Sequence, residues 1–167
     1  MTLAELLRGH DLAILRGHDL AILRARLEAD GHAVLPRLFD ASQCDLLRHG
    51  ADARYRITCL EAEQFEPLAC EEAPDEGCVL VLTVLLSEAS AFSGGECVMT
   101  EQRPRLQSRP MAHALKQGDA LLMRVGSRAV QGTNGSYRAT LRHGVARVRS
   151  GTRWAAQRVF ASNAPLA

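Results

Sequence analysis

"CVLVLTVLL", Cys78–Leu86, carries one polar side chain, Thr83, in nine residues. The run is continuous rather than alternating, and Val79, Val81, Thr83 and Val84 are β-branched. It is short for a buried helix, so it predicts a central strand covered on both faces. Strand-like runs follow it. "GGECVMTEQ" (Gly94–Gln102) opens on a glycine turn, and "GDALLMRV" (Gly118–Val125) opens on another. "TLRHGVARV" (Thr140–Val148) and "TRWAAQRVF" (Thr152–Phe160) flank Arg149-Ser150-Gly151 and read as a hairpin. Short strands with turn signals, and little helix after residue 55, predict an antiparallel sandwich or barrel.

Upstream the pattern is helical. "RARLEADGHAVLPRLFDASQCDLLRHG" (Arg24–Gly50) reads as a helix, a break at Gly31, a short strand over "HAVLP", and a second helix. Asp40 or Ser42 is its expected N-cap and Gly50 its expected stop. "GHDLAILR" occurs twice in tandem, at Gly9–Arg16 and Gly17–Arg24. Eight residues are about two helical turns, so the copy is expected to lengthen a helix. Neighbouring residues on a helix diverge by about 100°, so His10-Asp11 and His18-Asp19 are not expected to act as ligand pairs. The expected organisation is one structural domain: a helical lead-in over residues 1–54, packed on a β-domain over residues 55–167.

Composition narrows the function classes. The 167 residues are 47% hydrophobic and 23% charged, ordinary values for a globular chain. No apolar run approaches the roughly 18 residues of a membrane helix. The N-terminus carries Glu5, Asp11 and Asp19, unlike a secretory leader. A cytoplasmic protein with no membrane partner is expected. The five cysteines have no Cys-x-x-Cys spacing, so buried or free thiols are expected rather than a disulfide framework. The net charge of +1 hides an asymmetry. Residues 101–167 hold twelve Lys+Arg and two Asp+Glu, a balance of +10, against −9 upstream. Eleven of the twelve cations are arginines, suited to planar recognition of carboxylate or phosphate. An anionic ligand and mutual neutralisation of the halves both remain open. Arg103, Arg105 and Arg109 lack interleaved aromatics, so a solvated loop is expected and nucleic acid is not. His113 lies on an alternating strand and reads as structural.

The turn after His143 bears on the candidate site. A two-residue loop would turn Arg153 away from His143. A three-residue loop ending at Gly151 puts both on one face, and such loops favour glycine at their last position. In that register Arg147 faces Arg153, four residues or roughly 13 Å along the strand from His143. That gap suits a small dicarboxylate held at one end by Arg153.

His143, ten residues, then Arg153 resembles the C-terminal signature of the 2-oxoglutarate- and Fe(II)-dependent dioxygenases. "FSGGECVMTEQRPRLQSR", "GDALLMRV" and "VQGTNGSYRATLRHGVARVRSGTRW" are similar to a bacterial, prolyl-hydroxylase-like branch of that superfamily. The resemblance runs from about Leu60 to Phe160, with a further likeness over "DGHAVLPRLFDASQCDLLR". It implies a mostly β double-stranded β-helix, or jelly roll, with N-terminal helices, binding iron and 2-oxoglutarate and hydroxylating a peptide or small molecule. His143 matches the distal iron ligand, and Arg153 the arginine that pairs with the cosubstrate's far carboxylate. The remaining ligands should come from a His-x-Asp, which this chain lacks. Aligned back from "LTVLLSEASAFSGGE", the motif falls on "LEAEQFEPLACEE", with Ala69 at the histidine and Glu71 at the aspartate. Glu61 and Glu63 fit less well, and Cys70 should alternate onto the opposite strand face. The ending "FASNA" also departs from the family. A catalytically inactive relative that binds a small anion or a protein partner is the alternative expectation.

Overall fold

The computed structural model describes residue 15 and residues 17–70, 78–103, 108–132 and 135–162. Two helices precede most of the strands. α1 spans Leu20–Ala29, capped by Asp19, whose carboxylate accepts from the Ala21 and Ile22 amides. The repeat therefore does not run on as one helix. In its second copy Gly17 takes φ +101° and the helix starts three residues later. Apart from Leu15, the first copy lies outside the described residues, His10-Asp11 included. Gly31, at φ +76°, ends α1. β1 (His32–Leu35) follows, then α2 (Ala41–Arg48), opened by a capping box between Asp40 and Gln43. Gly50, at φ +78°, follows α2.

Nine strands complete the fold: β2 (Arg56–Glu61), β3 (Glu66–Ala69), β4 (Cys78–Leu85), β5 (Phe92–Gly94), β6 (Cys97–Gln102), β7 (Arg109–His113), β8 (Ala120–Gly132), β9 (Gly135–Val145) and β10 (Val148–Ser162). All pairings are antiparallel. One sheet runs β2-β10-β4-β8, with β1 on the far side of β8. The other runs β8-β9-β6-β7, with β3 beside the C-terminal half of β9. β8 belongs to both. Its residues to Val125 pair with β4, and those from Gly126 pair with β9. Gly126 sits at that corner with φ +81°. Two curled sheets that share strands in this order form a double-stranded β-helix, as expected.

The continuous hydrophobicity of β4 has a direct cause. Leu80, Leu82 and Val84 pack against the helices with Leu23, Leu27 and Leu47, while Val79 and Val81 face the barrel interior with Met99, Leu121 and Met123. A strand buried on both faces has no polar positions to alternate. Buried Asp119 ties the helical segment down. One carboxylate oxygen accepts from the Arg37 amide at 2.9 Å, the other from the Lys116 amide at 3.0 Å.

The expected hairpin at Arg149-Ser150-Gly151 does not form. β9 ends at Val145, and the three residues lie inside β10. Val148–Gly151 pairs with β5 through a register shift, and from Thr152 the strand pairs with β2. Gly151 does adopt φ +76°. It serves a close approach of backbone instead of a loop, because a Cβ there would stand 2.0 Å from the Ala91 carbonyl oxygen. Glycine signals a positive φ or a close approach, and a hairpin is only one of the settings that use them.

Candidate active site

His143 and Arg153 meet without the hairpin. Leu141, His143 and Val145 are the buried, inward positions of β9. On β10 the inward positions are Arg153, Ala155 and Gln157. Facing sheets thus bring both side chains to one small interior cavity of about 10 Å³. Thr83, Glu66 and Gln157 line it too, and Arg56 closes one side by donating to the Gln157 Oε1. The sequence reading missed Gln157 and Thr83. The parity of β10 signals Gln157, four residues beyond Arg153. Nothing in "CVLVLTVLL" signals which face Thr83 takes.

Arg153 is 1% exposed, yet it carries a full positive charge. Its Nη2 donates to the Cys97 Sγ at 3.4 Å, and its buried Nε has no hydrogen-bond partner among the described residues. Burial raises the Cys97 thiol pKa, and the neighbouring guanidinium only opposes that shift. The thiol stays protonated near neutral pH and supplies no counter-charge. Glu66 lines the same cavity, but among the described residues the buried Arg153 Nε stays without a hydrogen-bond partner, and a buried cation left so is suited to an added anion.

The metal positions are less complete. Ala69 lies directly opposite His143 in the β3–β9 ladder, with Met99 opposite on the other side. Directly paired residues put their side chains about 5 Å apart on one face. Where a second imidazole is expected, the strand presents a methyl group. Glu71 lies outside the described residues. Among the described residues no three His, Cys, Asp or Glu side chains form a group able to hold a metal. Those residues do not fit a facial triad. Glu61 ends β2, and Glu63 lies in the following turn, paired with Arg147 at 2.8 Å. The Cys70 thiol donates to the Leu141 carbonyl across the ladder. Close passage of β3 over β9 is secured by Gly144, where a Cβ would stand 2.5 Å from the Glu66 carbonyl oxygen.

The remaining expected groups are accounted for. Arg109 is exposed on β7, and Arg103 pairs with the buried Glu101 at 2.5 Å. Arg105 lies outside the described residues. The His113 ring lies tilted against that of His32, centroids 4.7 Å apart, and its Nε2 is buried without a partner among the described residues. Cys44, Cys59 and Cys97 are free thiols. No described helix is long and apolar enough to cross a membrane.

Comparison with known proteins adds a family. The Oxygenase-NA model, described as an oxygenase catalysing oxidative methylation of damaged DNA, matches residues 54–163. Two uncharacterized proteins from strains of Mycobacterium tuberculosis are 39% identical over 69 residues, covering 41% of this chain and 30% of theirs. The chain thus spans under a third of the length of these relatives. Among solved structures, a 2OG-Fe(II) oxygenase family oxidoreductase from Burkholderia pseudomallei superposes with a TM-score of 0.53 at 17% identity, covering 88% of this chain and 94% of its own. A prolyl-4-hydroxylase from Pseudomonas putida gives 0.56 at 10% identity, with 85% and 93% covered. At these identities the likeness is one of fold.

Proposed function

The chain belongs to the Oxygenase-NA family, and from that premise we propose that it binds 2-oxoglutarate through Arg153 beside an incomplete iron site. The observation that carries this reading is the buried Arg153, whose Nε has no hydrogen-bond partner among the described residues, sharing a cavity with His143. The far carboxylate would pair with the guanidinium in a fork, and the keto-acid end would lie toward His143. The cavity of about 10 Å³ holds roughly one water-sized group. A five-carbon diacid therefore enters only when the Arg56–Gln157 pair swings aside, and exposed Arg56 is free to lead that movement.

Ala69 opposite His143 leaves the metal with His143 and Glu71 at most. Two ligands hold a divalent ion far more weakly than three, since losing even a second-shell partner costs about 10–100-fold. The reading predicts that 2-oxoglutarate binds the metal-free protein and that Arg153→Met weakens binding at least tenfold. Equal affinity in both proteins would refute it.

Family membership favours a second reading, in which the native protein still hydroxylates a peptide or small molecule. Iron, ascorbate and 2-oxoglutarate would then yield succinate above a His143→Ala control. The family description also makes DNA a substrate class to test, against the expectation from sequence. Arg109, Arg138, Arg142 and Arg149 are exposed in its favour. DNA binding through them would weaken steeply with salt. Binding that does not change between 50 and 200 mM salt, as ~10³–10⁵-fold changes do for 6–10 phosphate contacts, would exclude it.

A further inference from the structure

Arg153 borders two cavities. The second lies between the β5–β6 turn and the end of β7 and has a volume of about 170 Å³. That is room for on the order of ten water-sized groups, against roughly one in the inner cavity. Leu85, Phe92 and Leu115 give it apolar walls, while Arg153, Glu96 and His113 give it polar ones. Gly94 and Gly95, at φ +75° and +67°, form the turn. A Cβ on Gly95 would stand 2.8 Å from the Arg153 Cδ. The paired glycines thus let the turn lie close along the buried side chain.

We propose that this outer cavity is a second binding site, for a small monocarboxylate with an apolar body, anchored on the same guanidinium. The inference rests on Arg153 being an anion anchor. A single buried positive charge neutralises one carboxylate, and Glu96 in the lining disfavours a second negative charge. The apolar walls suit a chain of a few carbons. The buried His113 Nε2, without a partner among the described residues, suits a hydroxyl or keto oxygen on it. Because the two cavities share one cation, their ligands compete.

The test titrates butanoate and 2-oxoglutarate into the wild type, Ala114→Trp, Thr58→Leu and Arg153→Met. Ala114 is an exposed residue lining the outer cavity, and Thr58 lines only the inner one. Butanoate should bind the wild type, weaken at least tenfold in Ala114→Trp and Arg153→Met, and stay within twofold in Thr58→Leu. 2-Oxoglutarate should follow the opposite pattern for Ala114→Trp and Thr58→Leu. If Arg153→Met does not fold, His113→Phe replaces it and should weaken 3-hydroxybutanoate severalfold while leaving butanoate within twofold. No butanoate binding at tens of millimolar, or binding indifferent to Ala114→Trp, overturns the proposal. If 2-oxoglutarate still binds in that case, only the outer site falls. If butanoate binds as stated and 2-oxoglutarate does not, the outer site stands and the proposed function falls.

Discussion

At Arg153 a permanent charge sits inside the barrel, while its neighbour Cys97 is a thiol that burial keeps protonated. The same burial should protect that thiol. A thiol reagent at neutral pH should label exposed Cys59 and Cys70 well before Cys97, and rapid labelling of Cys97 would show that the interior opens readily. Asp52 titrates differently. Its hydrogen bonds from Arg54 lower its pKa to about 2 from 3.8. A carboxyl with a lowered folded-state pKa stabilises the fold above its unfolded value and loses that contribution as pH falls through the folded one. Asp52→Asn should therefore flatten the decline in stability between about pH 4 and pH 2, read by denaturant unfolding across that range. An unchanged slope would show that the ion pair contributes nothing. Both candidate site residues were legible at this scale. His143 and Arg153 stand out through spacing and neighbouring motifs, and Ala69 through the absence of any His-x-Asp. Gln157 and Thr83 were not, because a polar side chain on a strand does not announce which sheet faces it.

Among the elements, β10 shows where sequence reading stops. Gly151 marks a positive φ, but the contact that demands glycine there, the Ala91 carbonyl, lies sixty residues away in sequence. The inference that His143 and Arg153 share a space held for another reason, opposed inward parities on two sheets. β4 and α2 were legible because their causes are local: two-sided burial for one, the Asp40–Gln43 capping box for the other. The start of α1 was not, since identical copies of "GHDLAILR" conceal that Asp19 is a cap. At β9 the tightest crossing is testable. Gly144→Ala places a methyl against the Glu66 and Pro67 carbonyls. It should cost about 1–3 kcal/mol, as other overpacked sites do, read by denaturant unfolding. A variant as stable as the wild type would show that β3 does not press on β9 as described.

Over the whole molecule, the acidic first part and the basic last part meet at pairs such as Glu63–Arg147, both well exposed and of little energetic weight. Exposed arginines on β7, β9 and β10, and the buried Arg153, leave the C-terminal part suited to anions. The barrel that holds them is a double-stranded β-helix and presents, opposite His143, a methyl group. The account turns on that methyl group. Its most direct test is succinate formation from 2-oxoglutarate with Fe(II) and ascorbate, by the native protein and by Ala69→His with and without Glu71→Asp. The native protein should form none above its His143→Ala control, while the restored proteins gain turnover. Native turnover equal to that of the restored proteins would contradict the account.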